Sequence, residues 1–140
     1  MKLNKNIKGF WSHGVYNLSP AECYKLASKG SIMIIDIREP YMTSFKQFYV
    51  DNVFFSPYSR IKSDYDKIIT QGKAVVVADS AGLKSRETVL FLMDKGYDNV
   101  FNMAGGFVEW ERDGLPVVTN KGYRLSGSCI CQIRARENDK

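Results

Sequence analysis

The sequence predicts an α/β domain with a mainly parallel β-sheet and helices on both faces of that sheet. Strand-like and helix-like segments alternate along the chain, and a helix that joins two strands in this way forms a right-handed crossover between parallel strands. The length of 140 residues fits one domain, and the chain has no internal repeat or long linker that would divide it. These observations predict one folded unit built on a parallel sheet.

The first helix is predicted to begin after Ser19. The Ser19 side chain can cap the helix, Pro20 suits the first helical position, and Glu22 stands where a capping box needs it. The helix is expected to end at Gly30, because glycine adopts the left-handed conformation that closes many helices. The apolar run at 32–37 then predicts a strand that is buried on both faces.

The later segments continue the alternation of strands and helices. The clearest strand is 74–78, which is short, uncharged and rich in β-branched residues. The other segments are predicted as strands at 53–55 and 100–103 and as helices at 61–69, 84–95 and 106–113.

Composition and charge exclude several classes of partner. The 20 lysine and arginine residues exceed the 15 acidic residues by five, and the basic residues at the chain ends lack the aromatic residues of a nucleic-acid motif. No apolar run approaches the roughly 18 residues that span a bilayer, and no apolar stretch follows the first lysines as in a signal peptide. We therefore expect a cytoplasmic protein with reduced thiols that binds neither nucleic acid nor membranes.

Two predicted strands end in charged or polar residues. One is followed by Asp36 and Arg38, and the strand 74–78 is followed by a loop that opens a helix. Ligands of parallel α/β sheets bind at these carboxyl ends, and a turn into a helix directs several backbone N–H groups towards one point. The sequence therefore predicts an anion-binding loop, whose residues are Asp79, Ser80, Ala81, Gly82, Leu83, Lys84 and Ser85.

The order of these motifs resembles the rhodanese-like domain family. The matching residues are Asp36-Ile37-Arg38-Glu39, Pro57, Val75-Val76-Val77, the seven-residue loop, Gly96-Tyr97, Gly105-Gly106-Phe107-Val108-Glu109-Trp110 and Gly114-Leu115-Pro116-Val117. The glycine pair with its tryptophan and the Gly-x-Pro that follows are the most specific pieces. The resemblance covers residues 18–118, which leaves 1–17 as an N-terminal segment and 119–140 as a C-terminal extension.

The resemblance implies a five-stranded parallel sheet. We expect no cofactor. In catalytic members of the family, the loop begins with a cysteine that accepts sulfur as a persulfide, and the loop amides stabilise the resulting anion. The thiolate is nucleophilic there because N–H donors and a helix N-terminus lower its pKa. The resemblance also implies that Asp36 and Arg38 form a structural ion pair near the loop.

The chain departs from this family at the position of the nucleophile. Asp79 stands where the cysteine is expected, and Lys84 stands where arginine is common. A carboxylate cannot form a persulfide. We expect Asp79 to cap the following helix by accepting hydrogen bonds from the loop amides and to pair with Lys84.

A second departure is the aromatic content between the first two predicted strands. Phe48 and Tyr49 replace the small and imidazole residues that active members carry there. We expect most of the aromatic residues in this stretch to lie in the core and a minority to form an exposed contact patch. The stretch contains Tyr41, Phe45, Phe48, Tyr49, Phe54, Phe55 and Tyr58.

All three cysteines lie away from the loop. Cys23 falls where a helix start packs against Leu18, so we expect it in the core. Cys129 and Cys131 alternate in the C-terminal extension as on the inner face of an extra strand, or alternatively form a redox or sulfur-relay pair. No metal site is expected, because these two thiols and His13 supply three ligands where structural zinc needs four.

Two hypotheses for the function follow. The first is a binding or regulatory module that lacks ordinary sulfurtransferase activity and recognises a protein partner or a small anion through the loop. The alternative is a sulfurtransferase or thiol redox protein that uses Cys129 or Cys131. A phosphatase-like enzyme is disfavoured, because it too would need a thiolate in the loop.

Overall fold

Eight strands and five helices make up the part of the chain that the computed structural model describes, residues 7–70 and 72–119. The strands are β1 Phe10–Ser12, β2 Val15–Leu18, β3 Met33–Asp36, β4 Lys46–Phe48, β5 Val53–Phe55, β6 Val75–Ala78, β7 Val100–Met103 and β8 Val117–Thr119. The helices are α1 Pro20–Ser28, α2 Pro40–Thr43, α3 Tyr58–Ile68, α4 Leu83–Asp94 and α5 Gly106–Arg112. Within these described ranges, no helix combines the length and the apolar character that crossing a membrane requires.

The main sheet has six strands in the order β1-β2-β7-β6-β3-β5. The five strands from β2 to β5 in that order are parallel, and only β1 runs antiparallel to its neighbour. Strands β4 and β8 pair antiparallel in a separate small sheet. The α/β class and the mainly parallel sheet are therefore confirmed.

Side chains that alternate along the central strands pack into two hydrophobic cores, one on each face of the sheet. Ile34 and Val76 pack with residues of α1 and α5, such as Leu26 and Trp110. Neighbouring strand residues, such as Ile35, point to the other face and pack with residues of α3 and α4. Burial on both faces explains why these strands are apolar over most of their length.

The start of α1 forms as its sequence predicts. The Ser19 hydroxyl accepts a hydrogen bond from the Glu22 backbone N–H at 3.2 Å, and Leu18 and Cys23 are fully buried. Gly30 follows the helix with a φ of 77°, the left-handed conformation predicted for its end. The capping residues therefore fix where this helix begins and ends.

Two strands, β1 and most of β2, lie in the described part of the predicted N-terminal segment and belong to the main sheet. Strand β2 pairs parallel with β7, with Asn17 opposite Asn102, and supplies the fifth parallel strand. The boundary predicted between residues 17 and 18 therefore falls inside a strand. Tyr16 and Asn17 interrupt the apolar run of this four-residue strand, so the sequence pattern does not reveal it.

The expectation that most aromatic residues between β3 and α3 lie in the core is wrong. Only Phe48 is fully buried, in edge-to-face contact with Phe107 and Trp110 at ring-centroid distances of 4.8 Å. Phe55 and Tyr58 are half-buried, and the remaining four, Tyr41, Phe45, Tyr49 and Phe54, are exposed. Tyr41 lies on the short helix α2 and Phe54 on the edge strand β5, whereas Phe45 and Tyr49 flank the short strand β4.

Candidate functional site

The predicted loop lies at the carboxyl edge of the parallel sheet, between β6 and α4. The start of α5 closes against it, because the Phe107 N–H donates to the Asp79 carbonyl oxygen at 2.8 Å and the Val108 N–H to that of Ser80 at 3.0 Å. A Cβ atom at Gly106 would lie only 2.5 Å from the Asp79 carbonyl oxygen. The glycine pair is therefore needed for α5 to approach the loop so closely.

The Asp79 carboxylate occupies the centre of the loop. It is 6% exposed and accepts hydrogen bonds from the backbone N–H groups of Gly82, of Lys84 at 2.7 Å and of Ser85 at 3.2 Å. The Ser85 hydroxyl lies a further 3.4 Å from the same carboxylate. Because Gly82 has a φ of 97°, the backbone can turn these amides inwards at the start of α4.

This geometry makes the loop an anion site that is filled by the chain itself. Amides at a helix N-terminus stabilise a negative charge, and here that charge belongs to a side chain of the same loop. Chemically, the carboxylate can cap α4 and hold the loop in one conformation. An incoming anion would have to displace the carboxylate, and charge repulsion opposes its approach while Asp79 stays in place.

The expected pairing of the Asp79 and Lys84 side chains is not the contact that the structure shows. The carboxylate binds the Lys84 backbone, whereas the Lys84 ammonium lies 5.2 Å from the centroid of the Tyr58 ring. The Tyr58 hydroxyl in turn donates to Glu87 at 2.6 Å, and Lys62 lies 3.1 Å from the same carboxylate. Hydrogen bonds from Tyr58 and Lys62 lower the pKa of Glu87.

A buried polar network continues from the loop into the sheet. The Ser85 hydroxyl donates to the Asn102 side-chain oxygen. The Asn102 side-chain amide in turn donates to the Asn17 side-chain oxygen at 2.8 Å. The Asn17 amide donates to the Val15 carbonyl oxygen at 3.1 Å. Sequence reasoning missed both asparagines, although a polar residue in the apolar strand β7 was a signal. The network fixes Ser85 and with it the first turn of α4.

Asp36 and Arg38 form the buried ion pair that the sequence predicts. The Arg38 guanidinium lies 2.8 Å from the Asp36 carboxylate, donates to the Lys46 carbonyl oxygen at 2.8 Å and stacks 4.0 Å from the Phe107 ring centroid. Burial raises the pKa of the Asp36 carboxyl, and the hydrogen bond and charge of Arg38 oppose this shift. The pair links the end of β3 to β4 and α5, and these contacts indicate a structural role.

Of the three cysteines, only Cys23 lies in the part of the chain that the structure describes. Cys23 is a free, fully buried thiol whose pKa burial raises, so it packs as a small neutral side chain. Cys129 and Cys131, together with the extra strand predicted there, lie outside the described residues. Across residues 7–70 and 72–119, no three His, Cys, Asp or Glu side chains cluster as metal ligands do.

Exposed apolar side chains lie on the loop and on the segments that contact it. Tyr41 is 75% exposed and Leu83 63%, and Phe45 and Val108 are also exposed. The Ser80 hydroxyl lies 3.6 Å from the Met42 sulfur, which brings α2 against the loop. We call the four residues Tyr41, Phe45, Leu83 and Val108 the loop face. All of them follow strands that end at the carboxyl edge of the sheet.

A parallel sheet with an amide-lined loop that opens a helix at its carboxyl edge is a geometry that binds anions in many α/β domains, and in this chain the Asp79 carboxylate occupies it. The model of the family described as the rhodanese-like domain matches residues 19–113, and the chain belongs to this family. The resemblance read from the motifs is therefore confirmed.

Curated proteins and a solved structure agree with this assignment. The chain is 33% identical over 106 residues to the thiosulfate sulfurtransferase GlpE of Actinobacillus pleuropneumoniae, covering 73% of this chain and 92% of that protein. It is 28% identical over 111 residues to GlpE of Actinobacillus succinogenes, with coverages of 76% and 94%. A rhodanese-related protein from Thermoplasma volcanium superposes with a TM-score of 0.65 at 27% identity, covering 74% of this chain and 98% of that one.

Proposed function

We propose that this rhodanese-like domain forms no persulfide on its loop and instead binds a protein partner through the loop face. The observation that carries the proposal is the position of the Asp79 carboxylate, which accepts the hydrogen bonds of the Gly82, Lys84 and Ser85 amides. A sulfurtransferase of this family needs a thiolate at that point to attack the donor sulfur. A carboxylate supplies no sulfur atom to bear a persulfide.

The electrostatics of the loop also disfavour a small anion as the natural ligand. The three backbone amides that would bind such an anion already donate to Asp79. A second negative charge would meet a buried carboxylate that already accepts the hydrogen bonds of these three amides. The ligand we propose therefore contacts the rim of the loop rather than its amides.

The rim has the composition of a protein contact surface. Its four apolar side chains are between 49% and 75% exposed, and aromatic residues are common at the centres of protein interfaces. The exposed Lys84 ammonium beside them rests on the Tyr58 ring. We infer a partner segment that presents apolar side chains to the loop face and a carboxylate to Lys84.

The chemical half of the proposal is tested with a persulfide donor. Purified wild-type protein and Asp79→Cys are incubated with thiosulfate, and intact-mass spectrometry detects added sulfur. In Asp79→Cys the new thiolate attacks the outer sulfur, the sulfur–sulfur bond breaks and sulfite leaves with the electron pair, so we expect a gain of one sulfur atom. We expect no gain in wild type or in Asp79→Asn, the matched variant without a thiol.

A mass gain in the wild type that disappears in Cys129→Ser or Cys131→Ser would contradict the proposal. It would instead support the alternative, a sulfurtransferase or thiol redox protein that uses the C-terminal thiols. Lack of a gain in Asp79→Cys would show that the surroundings of position 79, and not this residue alone, prevent the reaction.

The binding half is tested by selecting displayed peptides on the immobilised wild-type protein. We expect enrichment of peptides that combine apolar residues with an acidic one. Binding should fall about tenfold or more in Leu83→Glu, because a charge replaces a central apolar contact. The matched control is Leu90→Glu, at a 43% exposed leucine two turns further along α4, and it should leave binding unchanged. Peptides equally sensitive to both variants would contradict the assignment to the loop face.

A further inference from the structure

We propose that the chain has a second ligand site, a lysine-lined cavity that binds a compact phosphate-bearing anion at the edge of the sheet opposite the loop. The cavity has a volume of about 590 Å³, within the usual range for small-molecule sites. Four lysines contribute to its lining, and no acidic residue does. These lysines are Lys8, Lys25, Lys29 and Lys73.

The topology places this cavity far from the loop. Ser31 precedes β3, Ala74 precedes β6 and Asn99 precedes β7, and all three residues line the cavity. Because β3, β6 and β7 are parallel, the residues that precede them meet at the amino edge of the sheet. The loop lies at the carboxyl edge, so a ligand in the cavity cannot contact Asp79 or Lys84.

The positive charge in the cavity is mostly without a partner. Lys25 lies 3.5 Å from Glu22, and the Lys8 backbone N–H donates to the same carboxylate. Within residues 7–70 and 72–119, no carboxylate oxygen lies within 4.0 Å of the ammonium groups of Lys8, Lys29 and Lys73. Like charges around one concavity repel each other and create a positive potential, and a bound anion relieves this repulsion.

The shape and the residue types select the kind of anion. A partly open cavity of this volume is large enough to hold a small molecule. Lysine ammonium groups bind phosphate oxygens as point charges, and several of them suit a ligand with more than one negative charge. We therefore infer that the ligand carries a diphosphate-like or triphosphate-like group. The rest of such a ligand would extend into solvent.

The test is calorimetric titration with inorganic pyrophosphate and tripolyphosphate at low ionic strength. We expect both probes to bind the wild-type protein and tripolyphosphate to bind more tightly. The double variant Lys29→Gln/Lys73→Gln should lose about tenfold or more in affinity, because two unpaired ammonium groups are removed. The matched control Lys67→Gln/Lys95→Gln removes the same charge from α3 and the end of α4 and should change affinity less than about twofold.

Four results would overturn the inference. The first is no binding of either probe to the wild type. The second is an equal loss of affinity in the two double variants, which would indicate a response to net charge alone. The third is a loss of affinity in Lys84→Gln, which would place the anion at the loop. A single-stranded oligonucleotide that binds more tightly than tripolyphosphate would likewise contradict a small-molecule site.

Discussion

The two edges of the parallel sheet differ in whether the chain supplies a negative charge to their positively polarised groups. At the carboxyl edge, backbone amides converge on one point, and the Asp79 carboxylate of the same loop accepts their hydrogen bonds. At the amino edge, four lysines and no acidic residue contribute to the lining of a cavity. The comparison shows that an anion-binding geometry does not by itself imply a ligand, because the chain can supply the anion itself.

The difference has an energetic consequence. Groups at the carboxyl edge are buried and paired within the chain, so removing one of them leaves another without its partner. Groups at the amino edge are mostly unpaired, so removing one of them relieves repulsion. Substitutions at the two edges should therefore change stability by different amounts and in different directions.

The largest effect is expected for Arg38→Met. This change leaves the buried Asp36 carboxylate without its partner and should reduce the free energy of unfolding by about 3–5 kcal/mol. Urea denaturation measures the loss. The double variant Asp36→Leu/Arg38→Met removes both charges and should recover part of it. If Arg38→Met alone were as stable as the wild type, the ion pair would not stabilise this edge of the sheet.

The same variant should have a characteristic pH dependence. Burial raises the pKa of Asp36, and Arg38 opposes this rise, so the folded-state pKa should be higher in Arg38→Met. A carboxyl whose pKa is higher in the folded than in the unfolded state binds its proton better when folded. The variant should therefore lose stability as the pH rises above about 4, the ordinary aspartate pKa, towards the raised value. Stability that is independent of pH in this window would contradict the assignment.

The next largest effect is expected for Gly106→Ala. The added Cβ would lie 2.5 Å from the Asp79 carbonyl oxygen and 2.6 Å from the Ser80 carbonyl carbon, and the φ of 61° adds strain. We expect a loss of about 3 kcal/mol by chemical denaturation. Gly96→Ala is the matched control, because Gly96 also has a positive φ but nothing within 4 Å of its Cβ position, and it should cost about 1 kcal/mol. Equal losses would mean that the approach of α5 to the loop is not tight.

A smaller loss is expected for Asp79→Ala. This change removes the acceptor of three loop amides and should reduce stability by about 2 kcal/mol. Asp79→Asn keeps one side-chain oxygen as an acceptor and should lose less. Thermal denaturation at matched pH measures both. An alanine variant more stable than the wild type would indicate that the carboxylate strains the loop instead of capping α4.

The smallest effect belongs to the amino edge. Lys29→Gln/Lys73→Gln should change the free energy of unfolding by no more than about 0.5 kcal/mol and should be slightly stabilising at low salt. Raising the ionic strength should remove this difference, because salt screens the repulsion between exposed lysines. A clear loss of stability would mean that these lysines are paired within the chain.

Sequence patterns predict the elements whose signals are local. The capping residues of α1, the apolar runs of β3 and β6 and the glycines after α1 and α4 all mark their elements correctly. The loop and the positions of Asp36 and Arg38 could be located for the same reason, because charged residues directly follow apolar strands. The pairing of Asp36 with Arg38 is implied by the family resemblance.

What sequence patterns missed depends on contacts distant in the chain. Strand β2 is recognisable only through its pairing with β7, and β4 only through its pairing with β8. The exposure of Tyr41 depends on the shortness of α2, which no periodicity reveals. The amino-edge lysines come together from α1, from its C-terminal end and from the segments before β1 and β6, so their spacing carries no signal.

The central claim is that Asp79 fills the anion site of the loop, and an NMR titration with thiosulfate tests it most directly. The backbone amide signals of Gly82, Lys84 and Ser85 are followed in the wild type and in Asp79→Ala. We predict that these signals stay unchanged in the wild type and shift to saturation in the variant, where the amides are free to bind the anion. Saturating shifts of the same three amides in the wild type would contradict the claim, because they would show that the site is open while Asp79 is present.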